Sequence, residues 1–212
     1  AVSAHWGAGY IETLTGFKWI WERSLEEVAA GGTFVFGFEE ALGYCIGSAV
    51  RDKDGVGAAQ ILMELAAHLK AEGRTLIDQL DSLYRRHGVY INEQVSVRLP
   101  GRDGQARIDA IMASLRGSQV TEVAGHLVKT FHDLLGSDAD ALGLTSSNVL
   151  VYRLENGCRL VMRPSGTEPK LKGYVEVCEP VDGDETVDVA RQRAMLVVQR
   201  MVGWIEQIIE GT

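Results

Sequence analysis

The chain has 212 residues, 46% hydrophobic and 24% charged, an ordinary globular composition and enough length for one large domain or two small ones. Its formal net charge of −8 argues against nucleic acid or an anionic membrane surface as the main partner, so any bound anion must meet a local cluster of cations. There is no apolar run approaching the ~20 residues of a membrane span and no basic-then-apolar leader.

Three cysteines, Cys45, Cys158 and Cys178, show no metal-type spacing and read as small buried apolar residues in a reducing, cytoplasmic setting. The five histidines lack H-E-x-x-H or other ligand spacing, and no Walker-type glycine pattern occurs. The chain does not open on Met, and its first seven residues read as the end of a helix, so it is expected to begin within a fold.

In chain order, Tyr10 to Leu14 reads as a short strand and Thr15-Gly16 as a break before a helix with Phe17, Ile20, Trp21 and Leu25 on one face. Thr33 to Phe38 is a β-rich run ending on Glu39 and Glu40. Carboxylates at a strand end suit sugar hydroxyls, which donate to them, but equally suit the dipole of a following helix. Asp54 is a candidate N-cap for a helix carrying Ala58, Ile61, Leu62, Leu65, Ala66 and Leu69, and Gly73 would stop it. A further helix follows from Thr75 to His87.

At Val89 the pattern changes to strands, which sets a domain boundary between 1–88 and 89–212. Tyr90 to Leu99 is a strand, Ile108 to Leu115 lies on a helix, and Glu122 to Thr130 is a strand. Val149 to Leu154 and Cys158 to Arg163 form a hairpin through Glu155-Asn156-Gly157, Leu171 to Cys178 is another strand, and Asp184 to Gly211 is a long amphipathic helix. The expected order is an α/β segment, then an α+β domain with an antiparallel sheet covered by helices.

Between the last two strands lies Arg163-Pro164-Ser165-Gly166-Thr167-Glu168-Pro169-Lys170. A guanidinium fork, two hydroxyls and an ammonium converge there, with Gly166 leaving room for a ligand and two prolines stiffening the backbone. This is a phosphate cradle in its chemistry, though a polar turn between strands has the same composition.

The eight-residue loop resembles the phosphate-binding loop in the last domain of the α-D-phosphohexomutases, the phosphoglucomutase and phosphomannomutase group. Three further segments resemble that family in its own order. Thr-Gly-Phe-Lys-Trp from Thr15 is similar to a turn bordering the active cleft, and Phe38-Glu39-Glu40-Ala41-Leu42-Gly43-Tyr44 to the sugar-binding loop. Lys53-Asp54-Gly55 is similar to a motif whose Lys reaches phosphate. Ala41 and Phe38 depart from the Gly-Glu-x-Ser form and fit the branch of phosphoglucomutases and phosphopentomutases.

The resemblance implies an incomplete third domain of the phosphohexomutase fold followed by the C-terminal domain. It implies a parent enzyme, an intramolecular phosphotransferase, that moves a phosphoryl group between C1 and C6 (or C5) of a hexose or pentose phosphate through a phosphoserine and a bisphosphate. Thr15, Gly16, Glu39 and Glu40 would meet the sugar; Arg163, Ser165, Gly166, Thr167, Lys170, Lys172 and Lys53 would hold its phosphate. The Ser-His-Asn-Pro phosphoserine loop and the Asp-Gly-Asp-x-Asp-Arg magnesium loop are not in this sequence, so no catalytic or metal residue is assigned. Mg2+ and a sugar-bisphosphate activator belong to the parent, whose N-terminal domains would be the partners of this part. A stand-alone phosphosugar-binding module and a phosphoglucosamine mutase are the alternatives.

Overall fold

The computed structural model describes residues 1–39, 42–166 and 168–211. The chain divides into two compact units, Ala1–Ser82 and Leu83–Thr212.

In the first unit, α1 (Val2–His5) and α2 (Phe17–Ala29) precede an antiparallel hairpin of β1 (Phe36–Glu39) and β2 (Gly43–Ile46), followed by α3 (Gly55–Ala71). The helix α4 (Leu76–His87) starts here and runs past the unit boundary. The expected strand at Tyr10 to Leu14 is absent, since this stretch has no regular structure and Tyr10 and Ile11 are exposed. A short β-prone run cannot hold a strand without a partner to complete its backbone hydrogen bonds.

The local core of this unit is small: Phe17, Trp21 and Cys45 are buried, with Ile20 and Phe34 packed on them. Ser24, not Leu25, continues the buried face of α2, because the Ser24 hydroxyl donates to the Ile20 carbonyl one turn back at 2.6 Å. Asp54 caps α3 as expected, its carboxylate accepting from Gly57 N–H at 2.8 Å. The apolar stripe of α3 is only partly covered. Leu69 is buried, whereas Ile61, Leu62 and Leu65 are exposed, for a two-stranded hairpin offers too little sheet to cover seventeen helical residues.

The second unit is built on a six-stranded antiparallel sheet in the order β3-β8-β7-β6-β5-β4. Its strands and helices are, in chain order, β3 (Val89–Arg98), α5 (Gly104–Gly117), β4 (Glu122–Val123), β5 (His126–Asp133), α6 (Asp138–Ala141), β6 (Leu150–Leu154), β7 (Arg159–Pro164), β8 (Lys170–Glu179) and α7 (Val187–Glu210). The single strand expected from Glu122 to Thr130 is two, because Ala124 and Gly125 both take positive φ and turn the chain back on itself. One face of the sheet packs against α7 and α5, with Val187, Ala190, Ala194, Val198, Met201 and Ile205 of α7 buried along one stripe. Small alanines let the helix approach the sheet closely.

Burial alternates strictly along β8: Leu171, Gly173, Val175 and Val177 are inside, and Lys172, Tyr174, Glu176 and Cys178 lie on the other face. Cys45 and Cys158 are buried free thiols, and burial pushes both up from the ordinary thiol value, as small core residues should behave. Among the described residues no helix is long and apolar enough to cross a membrane.

Arg193 ties the start of α7 to the end of β8. Its guanidinium reaches Glu179 at 2.9 Å, Glu185 at 2.5 Å and the Pro180 carbonyl at 2.9 Å. The Arg193 hydrogen bond, helped by the Asp182 N–H, holds the Glu185 carboxyl down at about 2 from an ordinary 4.5. A carboxyl depressed on folding contributes stability that is present above its unfolded value and is lost as pH falls through its folded value. Arg193→Met should therefore lower the urea midpoint above pH 4.5, and the gap from wild type should shrink as pH falls toward about 2. Paired urea titrations across that range check it; a gap independent of pH would assign the effect to packing alone.

Candidate functional site

The residues singled out in the sequence form two clusters, one in each unit. In the first, Glu39 ends β1 and its side chain is only 11% exposed, so its charge needs partners. Among the described residues it has two: Oε2 accepts from the Gly16 N–H at 3.0 Å, and Oε1 pairs with Lys53 Nζ at 2.6 Å. A carboxylate offers about four lone-pair positions, so two remain for donors from outside.

Local structure explains why these groups meet. Gly16 sits at φ 123°, a conformation that side chains rarely adopt, and this lets its N–H leave the start of α2 and point at Glu39. Lys53 is anchored by the next residue, whose N–H donates to the Tyr44 carbonyl at 2.7 Å. Its stem then crosses Gly43, the register partner of Glu39. A Cβ at Gly43 would lie 2.6 Å from the Phe17 ring and 2.7 Å from Lys53 Cε, so only glycine admits both. Thr15 is exposed one residue before Gly16. Glu40 lies outside the described residues.

The second cluster stands at one end of the open face of the larger sheet. Arg163, near the end of β7, lies directly opposite Lys172 of β8. Two cations face each other across the strands, an arrangement that destabilises a sheet unless an anion neutralises it. On the same face of the same two strands, Arg159 faces Glu176 and pairs with it at 3.2 Å. At that end Arg159 stands between Glu176 of β8 and Arg153 of β6, and at the loop end Arg163 and Lys172 are set together.

The loop is held by its backbone. Ser165 N–H donates to the Lys170 carbonyl at 2.8 Å, and Leu99 N–H to the Pro169 carbonyl at 3.0 Å, which fastens the loop to β3. Lys170 Nζ pairs with Glu168 at 2.5 Å. Gly166 is exposed, has no positive φ, and a Cβ there would touch nothing within 4 Å, so neither packing nor backbone conformation demands glycine. Thr167 lies outside the described residues.

The structure brings Arg163, Ser165, Lys170 and Lys172 together in one unit and Gly16, Glu39 and Lys53 in the other. Lys53, grouped by resemblance with the phosphate contacts, is paired with Glu39. One cation escaped the sequence reading: Arg98, the last residue of β3, faces Lys170 across the strands. Its only sequence signal is its place at a strand end, and strand pairing alone brings it to the loop.

Residues 1–87 match the phosphoglucomutase/phosphomannomutase alpha/beta/alpha domain III, and residues 95–193 match the C-terminal domain of the same family. The chain belongs to the phosphoglucomutase/phosphomannomutase family. A Haemophilus influenzae protein named as a probable phosphomannomutase is 40% identical over 179 residues, covering 83% of this chain and 33% of that protein. A Staphylococcus epidermidis phosphoglucomutase is 32% identical over 191 residues, covering 86% of this chain and 35% of its own length. The chain therefore spans about a third of these relatives. The open form of pp63/parafusin, a phosphoglucomutase from Paramecium, has the same fold, with a TM-score of 0.65 at 17% identity over 99% of this chain and 35% of that one. Of the family's domains, the chain thus has the α/β/α third domain and the C-terminal domain with its antiparallel sheet and helices.

The crowding at Gly43 is testable. Gly43→Ala should destabilise the first unit by about 1–3 kcal/mol, the usual cost of overpacking, because Phe17 and Lys53 would both have to move. Denaturant unfolding followed by tryptophan fluorescence, to which Trp6, Trp19 and Trp21 of the first unit contribute, measures it. An unchanged midpoint would mean that the close approach is readily relieved.

Proposed function

We propose that this chain is the sugar-selecting and phosphate-holding part of a phosphosugar mutase, whose parent enzyme moves a phosphoryl group between C1 and C6 (or C5) of a sugar phosphate through a phosphoserine and a bisphosphate. The observation that carries the proposal is the like-charged cross-strand pair Arg163 and Lys172 beside the Ser165 loop, on a protein with a net charge of −8. Two cations held face to face on an otherwise acidic chain favour an oxyanion. The guanidinium can bind two of its oxygens side by side while the ammonium supplies a point charge. Family membership makes a phosphosugar the natural ligand.

In the same proposal the division of labour follows 1–88 and 89–212. Glu39, with Glu40, accepts hydrogen bonds from sugar hydroxyls beside Thr15 and Gly16, and Lys53, grouped by resemblance with the phosphate contacts, orients Glu39 through their ion pair. Arg163, Ser165, Gly166, Thr167, Lys170 and Lys172 hold the phosphate that is not being transferred. Gly166 fits this role because the space where its Cβ would lie is open. The chemistry of transfer needs aligned attacking and leaving oxygens and neutralised charge, which binding residues alone do not supply. Among the described residues there is no group of three His, Cys, Asp or Glu that could hold a metal ion. The nucleophile, the metal and their loops belong in this proposal to N-terminal domains of a cytoplasmic parent polypeptide.

Arg163→Ala should weaken binding of glucose 1-phosphate by about 1.5–3 kcal/mol, the worth of hydrogen bonds to a charged group. Titration calorimetry measures it, with circular dichroism to check the fold; unchanged affinity would remove Arg163 from the site. The chain by itself should not interconvert glucose 1- and 6-phosphates, and turnover above a buffer blank by a preparation free of other mutases would overturn this assignment.

A further inference from the structure

Strand register places a second like-charged pair beside the first. Arg98 of β3 faces Lys170 of β8, and Lys170 precedes Lys172, the partner of Arg163, by two residues on the same face. Side chains two residues apart on one strand point the same way, so Arg98, Lys170, Lys172 and Arg163 share the open face. That face lies opposite the one carrying Leu171, which is buried. The hydrogen bond from Leu99 N–H to the Pro169 carbonyl keeps the end of β3 against the loop, fixing Arg98 beside Lys170. Among the described residues one anionic side chain is paired within this group: Glu168 with Lys170 at 2.5 Å.

We propose that Arg98 is a further phosphate-binding residue of this cradle, and that the Glu168 carboxylate is a resident anion which an incoming phosphate displaces from Lys170. The proposal rests on the assignment of the loop to phosphate and adds a competitor built into it. Two like-charged pairs in adjacent register positions concentrate more positive charge than one carboxylate offsets. A phosphate dianion matches that charge better and has more acceptor oxygens, so exchange is favourable, while Glu168 relieves repulsion among the cations when no ligand is bound. In line with this, the hydrogen bond and charge of Lys170, with smaller effects from Arg98 and Lys172, hold the Glu168 carboxyl below its ordinary value. Glu168 is exposed and can swing aside without disturbing the core.

The test titrates the full chain with inorganic phosphate, followed by phosphorus NMR, in wild type and in the Glu168→Gln, Arg98→Gln and Arg163→Ala variants. Removing the competitor should tighten phosphate binding about two- to fivefold, the range of an exposed ion pair. Removing Arg98 should weaken it about tenfold. Weaker or unchanged binding by Glu168→Gln overturns the competitor role, and unchanged binding by Arg98→Gln overturns the membership of Arg98. If Arg163→Ala alone loses phosphate, the cradle stands and this addition to it falls. If wild type itself does not bind phosphate, both fall.

Discussion

The burial of one face of the six-stranded sheet is the constraint on which the phosphate cradle depends. Leu160 and Met162 of β7 and Leu171, Val175 and Val177 of β8 all point into the core beneath the helices. Each such side chain contributes roughly 1.5–3 kcal/mol when buried, whereas an exposed charge pair is worth about 0.2–1 kcal/mol. Hydrophobic burial therefore sets the register, and the electrostatics must accept its consequences. A slip of one residue would turn every lysine and arginine inward, so the cations are locked on the open face even where they repel.

That hierarchy explains how an acidic protein keeps a strongly basic spot. Farther from the loop Arg159 has Glu176 as its ion-pair partner on β8, with Arg153 facing it from β6. Beside the loop the strand pairing sets cation against cation twice in adjacent positions, and at the far end of β7 it sets Arg153 against Arg159. The helices on the opposite face hold the strands in place, and Arg193 fixes the far end of β8 to α7, so the strain at the loop end is carried by a framework stabilised elsewhere.

The first unit places its carboxylate by a different route. Its core is too small to set register by burial alone, and Glu39 is positioned by crowding: Phe17 and Lys53 press on Gly43, and Gly16 turns its N–H inward. The result is an almost buried carboxylate held by one backbone donor and one ammonium, with acceptor capacity left over.

The sequence by itself determined the elements whose signals are local. The Asp54 cap, the Asn156-Gly157 hairpin, the alternation of β7 and the stripe of α7 are each set by chemistry within a few residues, and so is the donor-rich loop from Arg163 to Lys170. Tertiary structure decided what local pattern leaves open. Tyr10 to Leu14 has strand-like composition but no strand beside it, and the stripe of α3 is periodic but only Leu69 finds a full cover. Arg98 belongs with Lys170, and Lys53 with Glu39, because pairing and packing bring together residues far apart in the chain. Backbone preference and side-chain periodicity are properties of neighbours in sequence, whereas register and burial depend on which segments come to lie side by side.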